Sequence, residues 1–150
     1  MKKIFLLSFT FLLCIILSGC GNKNELACSI TQKDNGATMR QTVNVRFAEE
    51  HVSNIKMTIH TQVSDAVSES DWNNLVEMLD SEYGEVNHTG FQLTKDNNSS
   101  DRTYNITMDV DVNKASQEDL SEYGIENLVD TQLTYDAVKE QMEKSGLTCD

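Results

Sequence analysis

From Met39 to Val63 the chain sets apolar residues against polar ones with a period of two. Met39, Val43, Val45 and Phe47 fall on odd positions, with Arg40, Thr42, Asn44 and Arg46 between them. Ile55, Met57, Ile59 and Val63 then repeat the alternation against Lys56, Thr58, His60 and Gln62. Successive side chains of an extended chain point to opposite faces, so this pattern predicts strands with one buried and one wet face. A first strand around Leu26–Thr31 precedes them, and Asp34-Asn35-Gly36 is a hairpin turn signal. Glu49-Glu50-His51 turns the chain again. Three consecutive strands joined by short turns make an antiparallel meander.

The period then changes. Trp72, Leu75, Val76, Leu79 and Tyr83 recur at helical spacing, with Ser68 or Ser70 as N-cap and Gly84 as a left-handed end. That spacing assigns Trp72 to the core rather than to a ligand platform. Phe91 and Leu93 open another strand, Asp96 to Asp101 form a polar turn, and Tyr104, Ile106, Met108, Val110 and Val112 restore the alternation. Ser116 caps a short helix that ends at Tyr123-Gly124. A last helix starts near Thr134, presents Tyr135, Val138 and Met142, and stops at Gly146, where Leu147 folds back on Met142. The tetrapeptide Ser-Glu-Tyr-Gly occurs at Ser81–Gly84 and Ser121–Gly124, but the flanks do not continue the match, so it marks two helix ends and not a repeat. Half-wet strands and grouped helices predict an α+β fold: an antiparallel sheet with helices packed on one face.

The first residues carry an address. Lys2 and Lys3 precede an apolar run from Ile4 to Leu17, too short for a comfortable span at ~20 residues, so the segment reads as a secretory signal peptide. Leu17-Ser18-Gly19-Cys20 resembles the lipobox of bacterial lipoproteins: a Leu, two small residues, and the Cys whose thiol takes diacylglycerol before the peptidase cuts. The resemblance implies removal of residues 1–19, lipidation of Cys20, a short tether over residues 20–25, and one domain over 26–150. It also implies anchorage to the cell membrane through acyl chains such as palmitate, on the extracytoplasmic face. An unlipidated signal peptide and a retained transmembrane helix are the alternatives. The tether reaches roughly 20 Å at ~3.3 Å per residue.

Without Lys2 and Lys3, ten basic residues face 24 acidic ones, a net charge of −14. That charge repels nucleic acid and anionic membrane surfaces, and it favours a soluble monomeric domain. Cys14 leaves with the signal peptide and Cys20 takes the lipid, so Cys28 and Cys149 remain near the two ends of the domain. Outside the cytosol such a pair forms a structural disulfide, with two free thiols or a metal site as the alternatives. Their spacing is not that of a CxxC redox site.

Candidate chemistry is sparse. Asp109-x-Asp111-x-Asn113 opens like a calcium loop, but the required sixth-position Gly is Lys114 and the twelfth-position Glu is Leu120. Alternation explains the two carboxylates as a strand's wet face. His51, His60 and His88 share no spacing, and read as isolated surface residues rather than zinc ligands. No nucleophile motif, P-loop or dinucleotide fingerprint occurs. The residues predict neither cofactor nor metal site, and no enzyme. Asn87, Asn98 and Asn105 begin glycosylation sequons, which carry little weight in a bacterial product.

The order of parts resembles the YehR-like lipoproteins, small bacterial lipoproteins without an assigned activity. The likeness is best at Leu79-x3-Tyr83, at Tyr104-Asn105-Ile106-Thr107-Met108-Asp109, and from Leu133-Thr134-Tyr135-Asp136 to Gly146. It implies an α+β domain with an antiparallel sheet and no activity; the pair Cys28 and Cys149 departs from it. The expectation is a non-enzymatic domain of the cell envelope that binds a small ligand or an envelope protein. An envelope hydrolase is the rival. Leu12–Gly19 also resembles the short apolar peptide pheromones that some Gram-positive bacteria release from such signal peptides.

Lipidation precedes cleavage, so Cys20→Ser is expected to accumulate precursor and abolish labelling by a radioactive fatty acid. A lipid-labelled, cleaved product from that variant would remove the anchor.

Overall fold

Among the described residues, one face of a six-stranded antiparallel sheet carries most of the buried apolar side chains, and three helices pack on it. The computed structural model describes residues 24–86, 88–126 and 134–150. The expected signal peptide, Cys20 and the expected tether as far as Lys23 lie outside the described residues, as do Asn87 and Leu133. The strands are β1 (Glu25–Asp34), β2 (Ala37–Ala48), β3 (His51–Val63), β4 (Phe91–Asn98), β5 (Thr103–Asp111) and β6 (Thr148–Cys149). The helices are α1 (Glu69–Glu82), α2 (Gln117–Glu122) and α3 (Tyr135–Lys144). The sheet order is β4-β5-β3-β2-β1-β6, with the expected meander at β1-β2-β3. Among the described residues, no helix is long and apolar enough to cross a membrane.

Register explains the one-sided burial. Leu26, Val45, Ile55, Val110 and Phe91 stand opposite one another across five strands, and Cys28, Val43, Met57, Met108 and Leu93 form the next row. A third row contains Ile30, Ile59 and Ile106. Each fully buried Val, Leu or Ile contributes roughly 1.5–3 kcal/mol relative to exposure. The core forms two clusters. Leu120, Val138 and Met142 of α2 and α3 pack with Leu26, Val45 and Val110, while Trp72 and Leu79 of α1 pack with Ile59, Val63, Tyr104 and Ile106. Trp72 is core, as its spacing predicts.

The caps follow local chemistry. The hydroxyls of Ser68, Ser116 and Thr134 accept from the backbone N–H three residues on, each satisfying a free donor of a first turn. At the end of α3, Gly146 lies at φ 91°, with Gly146 N donating to Glu143 O and Leu147 N to Met142 O. That is the predicted Schellman ending. Gly124 closes α2 the same way.

Four expectations need correction. Gly84 is not left-handed; α1 ends on Tyr83, whose N–H donates to Leu79 O. Met39 is 38 % exposed, because α3 stops at Gly146 beside Ile30, one row short of Met39. His51 belongs to β3, and the turn consists of Glu49 and Glu50 alone, both with positive φ. Such a turn matches strand twist but normally takes Asn or Gly. Finally, β4 runs on to Asn98, whose side chain accepts from the Ser100 and Asp101 N–H groups and shortens the polar turn to Ser99–Arg102.

Cys28 and Cys149 face each other across β1 and β6, with their sulfurs 1.99 Å apart, the distance of a disulfide. Asp150 N donates to Ala27 O beside them. β6 has only two residues, so the covalent link and α3 hold it to the sheet. The bond closes a loop over 121 positions of sequence, for which restriction of the unfolded chain contributes at most about 5 kcal/mol. Reduction is expected to lower the melting temperature while the far-UV circular dichroism stays largely native. An unchanged melting temperature, or two titratable thiols at these positions in the non-reduced unfolded chain, would argue against the staple.

Candidate functional site

The core forms two clusters, and among the described residues the helix layer leaves a gap over the middle of the sheet. There Met57, Ile59, Leu93, Ile106 and Met108 form the floor of a groove of about 360 Å³. One wall is the end of α1 with the residues just beyond it, Glu82 to Val86; Tyr123 at the end of α2 forms the other. The gap arises because α1 stops at Glu82 and α2 is only six residues long. Helices of these lengths, ~21 Å and ~9 Å at 1.5 Å per residue, do not roof every row of the sheet.

Tyr83 and Tyr123 are the tyrosines of the two Ser-Glu-Tyr-Gly segments. The tetrapeptide is no repeat, yet its two copies bring equivalent tyrosines to one groove. Burial raises both hydroxyls above the ordinary tyrosine range, with Glu82 adding to the shift at Tyr83, and Glu122 and Asp119 at Tyr123. Both are neutral donors near pH 7. Glu82 and Glu85 are exposed at the rim, and none of the lining residues is cationic. The groove thus combines an apolar floor, two tyrosines and an anionic rim. Such a concave apolar site with few polar groups is where small molecules bind.

One end of the groove rests on a fixed strut. Tyr104 is buried, and its hydroxyl donates to Asp80 Oδ1 on α1. Lys95 reaches the same helix, with Nζ 3.1 Å from Asp80 O and 3.5 Å from Oδ1. The Tyr104 bond holds the Asp80 carboxyl below its ordinary range, helped by Lys95. Lys95 also borders the adjoining hollow with Gly84, Glu85, Val86 and Leu93. Another hollow, of about 390 Å³, is lined by Asn24, Phe47, Glu50, Thr134, Tyr135 and Asp136, more polar groups beside segments outside the described residues.

Behind Tyr123 lies a second cluster that corrects the reading of the histidines as isolated. His88 Nδ1 is 2.6 Å from Asp119 Oδ1, and its Nε2 is 4.0 Å from Glu122 Oε2. The rings of Phe91 and Tyr123 meet the imidazole edge-on, with centroids 6.2 and 6.1 Å away. Asp119 Oδ2 accepts from Ser116 Oγ at 2.6 Å. The order is therefore Ser–Asp–His, in which the hydroxyl bonds the carboxylate and not the imidazole. A nucleophilic triad needs the base between the other two, so these three groups do not activate Ser116. His60 is also partnered, with Nδ1 2.6 Å from Asn105 Oδ1, and His51 is exposed at the start of β3.

The remaining candidates have ordinary roles. Asp109 accepts from Asn54 Nδ2, and Asp111 pairs with Lys114 at 2.7 Å, so the calcium-like segment spends its carboxylates on neighbours. Cys28 and Cys149 are joined at the sheet edge, away from the groove lining. Sequence reasoning singled out neither the groove nor the His88 cluster, and the duplicated tetrapeptide was the one available signal for either.

No family model and no curated protein matches the chain. Among solved structures it is similar to a protein from Streptococcus pneumoniae TIGR4 determined by NMR, with a TM-score of 0.54 and 15 % identity over 84 % of each chain. At that identity the likeness concerns the fold alone.

Burial pushes the Tyr104 hydroxyl up to about 12, with the bond to Asp80 adding to it. The neutral phenol is favoured in the folded state, so its contribution to stability is complete below pH 10 and is lost as pH rises through about 12. Ultraviolet titration of the folded chain is expected to show a phenolate step near that upper value, absent in Tyr104→Phe. Asp80→Asn should lower the step without returning it to the ordinary range, because burial remains. An unaltered titration curve in Tyr104→Phe would refute the strut.

Proposed function

We propose that this chain is a lipid-anchored, extracytoplasmic binding protein whose groove between α1 and α2 takes a small ligand with an apolar body and a cationic end. The observation that carries the reading is the unroofed apolar floor at Met57, Met108 and Leu93, where sheet side chains meet a cavity instead of a helix. An apolar body displaces water from that floor at ~25 cal/mol per Å² covered. Glu82 and Glu85 at the rim favour an ammonium group and disfavour a carboxylate, and the rings of Tyr83 and Tyr123 add cation–π attraction. The cell-membrane address rests on Leu17-Ser18-Gly19-Cys20, and the resemblance to the YehR-like lipoproteins agrees with it while adding no activity. A non-enzymatic role is favoured over an envelope hydrolase because the Ser116–Asp119–His88 order leaves the hydroxyl unactivated.

The test uses the domain without its first 20 residues, so that detergent does not compete for the groove. Calorimetric titration with alkyl-chain ammonium and carboxylate probes of equal length should show saturable binding of the cation and at least tenfold weaker binding of the anion. Leu93→Glu should abolish binding, and the double variant Glu82→Gln/Glu85→Gln should narrow the preference. Equal affinity for both probes, or binding insensitive to Leu93→Glu, would sink the proposal.

A further inference from the structure

We propose that His88 and Glu122 form a binding site for a divalent transition-metal ion, zinc being the representative, with Asp119 as the residue that orients the imidazole. A carboxylate only accepts, so the 2.6 Å contact between His88 Nδ1 and Asp119 Oδ1 places the ring proton on Nδ1. In the neutral imidazole Nε2 then carries the lone pair, and it lies 4.0 Å from Glu122 Oε2. Metal-bound histidines commonly donate their second ring N–H to a carboxylate in this way, which fixes the tautomer and raises the basicity of the ligating nitrogen. Bonds of roughly 2.0–2.2 Å subtend about 3.4 Å across a tetrahedral angle. Glu122, with 62 % of its side chain exposed, is free to close the difference. Its carboxylate and that of Asp119 leave α2 three residues apart, on one face of the helix.

Preorganisation separates this cluster from a chance meeting of surface charges. The ring of His88 is held edge-on by Phe91 and Tyr123. Asp119 is fixed by Ser116, whose hydroxyl both caps α2 and donates to the carboxylate. The loop carrying His88 is docked by Gly90, at φ 87°, where a side chain would stand 2.7 Å from Ala115 N and 2.9 Å from Asp111 O. That close backbone contact ties the loop to the turn leading into α2. One imidazole nitrogen and one carboxylate favour zinc, nickel or copper over calcium and magnesium, which prefer sites made wholly of oxygens. Water fills the remaining positions.

The site is tested by zinc titration of the full chain in detergent micelles, read by calorimetry and by the imidazole NMR signals of the three histidines. Saturable binding should shift the His88 signals, and excess magnesium should not displace the zinc. His88→Ala and Glu122→Gln should each weaken binding at least tenfold, while His51→Ala and His60→Ala leave it unchanged. Asp119→Asn should weaken binding about ten- to a hundredfold, the usual effect of losing an orienting carboxylate, with the His88 signals still responding at higher zinc. The proposal is overturned if zinc leaves the His88 signals unmoved, or if a folded His88→Ala variant binds as well as the parent. Loss of the His88 response in Asp119→Asn would overturn the division of roles. His88→Gln, of similar bulk to histidine, serves if the alanine variant unfolds.

Discussion

Everything in this fold depends on the register that brings Leu26, Val45, Ile55, Val110 and Phe91 into one row across five strands. A shift of one residue in any pairing would turn that strand's apolar set toward water. The register is fixed locally at β1-β2 by Asn35 and Gly36, both with positive φ, and at β2-β3 by the Glu49–Glu50 turn. The β2-β3 hairpin absorbs one irregularity: between Arg46 and Phe47 the partner strand carries an extra residue, Ser53, which brings Val52 onto the buried face opposite Phe47, whose ring meets Tyr135 of α3. The helices are consequences of this row. They cover what the alternation has placed on one side, and the groove is the part of that side over which the described residues place no helix.

Local patterns in the sequence reveal the elements, because period and capping act over a few residues. Ser116, Thr134, Gly124 and Gly146 announce helix ends whose geometry depends on little beyond their own neighbours. The misses have a common cause in long-range packing. Met39 obeys the alternation yet is exposed, because whether an inward position is covered depends on where a helix 100 residues later stops. Gly84 looks like a left-handed ending, but Tyr83 has already closed the last turn. The Glu49–Glu50 turn is paired on both sides by long strands, and tertiary pairing overrides the poor fit of glutamate to positive φ. His88 and Asp119 are brought together by Gly90, whose role is a backbone contact that no spacing rule encodes.

The two candidate sites share Tyr123. Its ring walls the groove on one side and braces His88 on the other, with Phe91 beneath at a centroid distance of 4.9 Å. Anything that moves this ring changes both the apolar wall and the imidazole. The ring's position is in turn set by α2, a helix of six residues whose one buried anchor is Leu120. Local opening of so short an element costs less than global unfolding, because few apolar contacts are broken. Asp119 and the C-cap Tyr123 therefore belong to the shortest of the three described helices, while Asp80 and Tyr104 fix the opposite wall.

The uncovered face of the sheet is built differently. Thr148, Ser29, Thr42, Thr58, Thr107 and Thr94 stand in one rank across all six strands. Threonine is β-branched and suits a pleated strand, yet its hydroxyl keeps the surface wet. The neighbouring ranks hold Asn44, Lys56 and Asp109 on one side and Arg40, His60 and Asn105 on the other, so charges of both signs interrupt any continuous apolar patch. A bare sheet face invites stacking, and its edges invite pairing. Here the face offers hydroxyls and mixed charge, and β4 presents an edge strand whose wet side is Gln92, Thr94, Asp96 and Asn98. At the other edge the disulfide locks β6 over Cys28 and Ser29, leaving Lys33 and Asp34 on the stretch of β1 that it does not cover. The same alternation that builds the core thus supplies, on its polar positions, the hydroxyls and mixed charge of the opposite face.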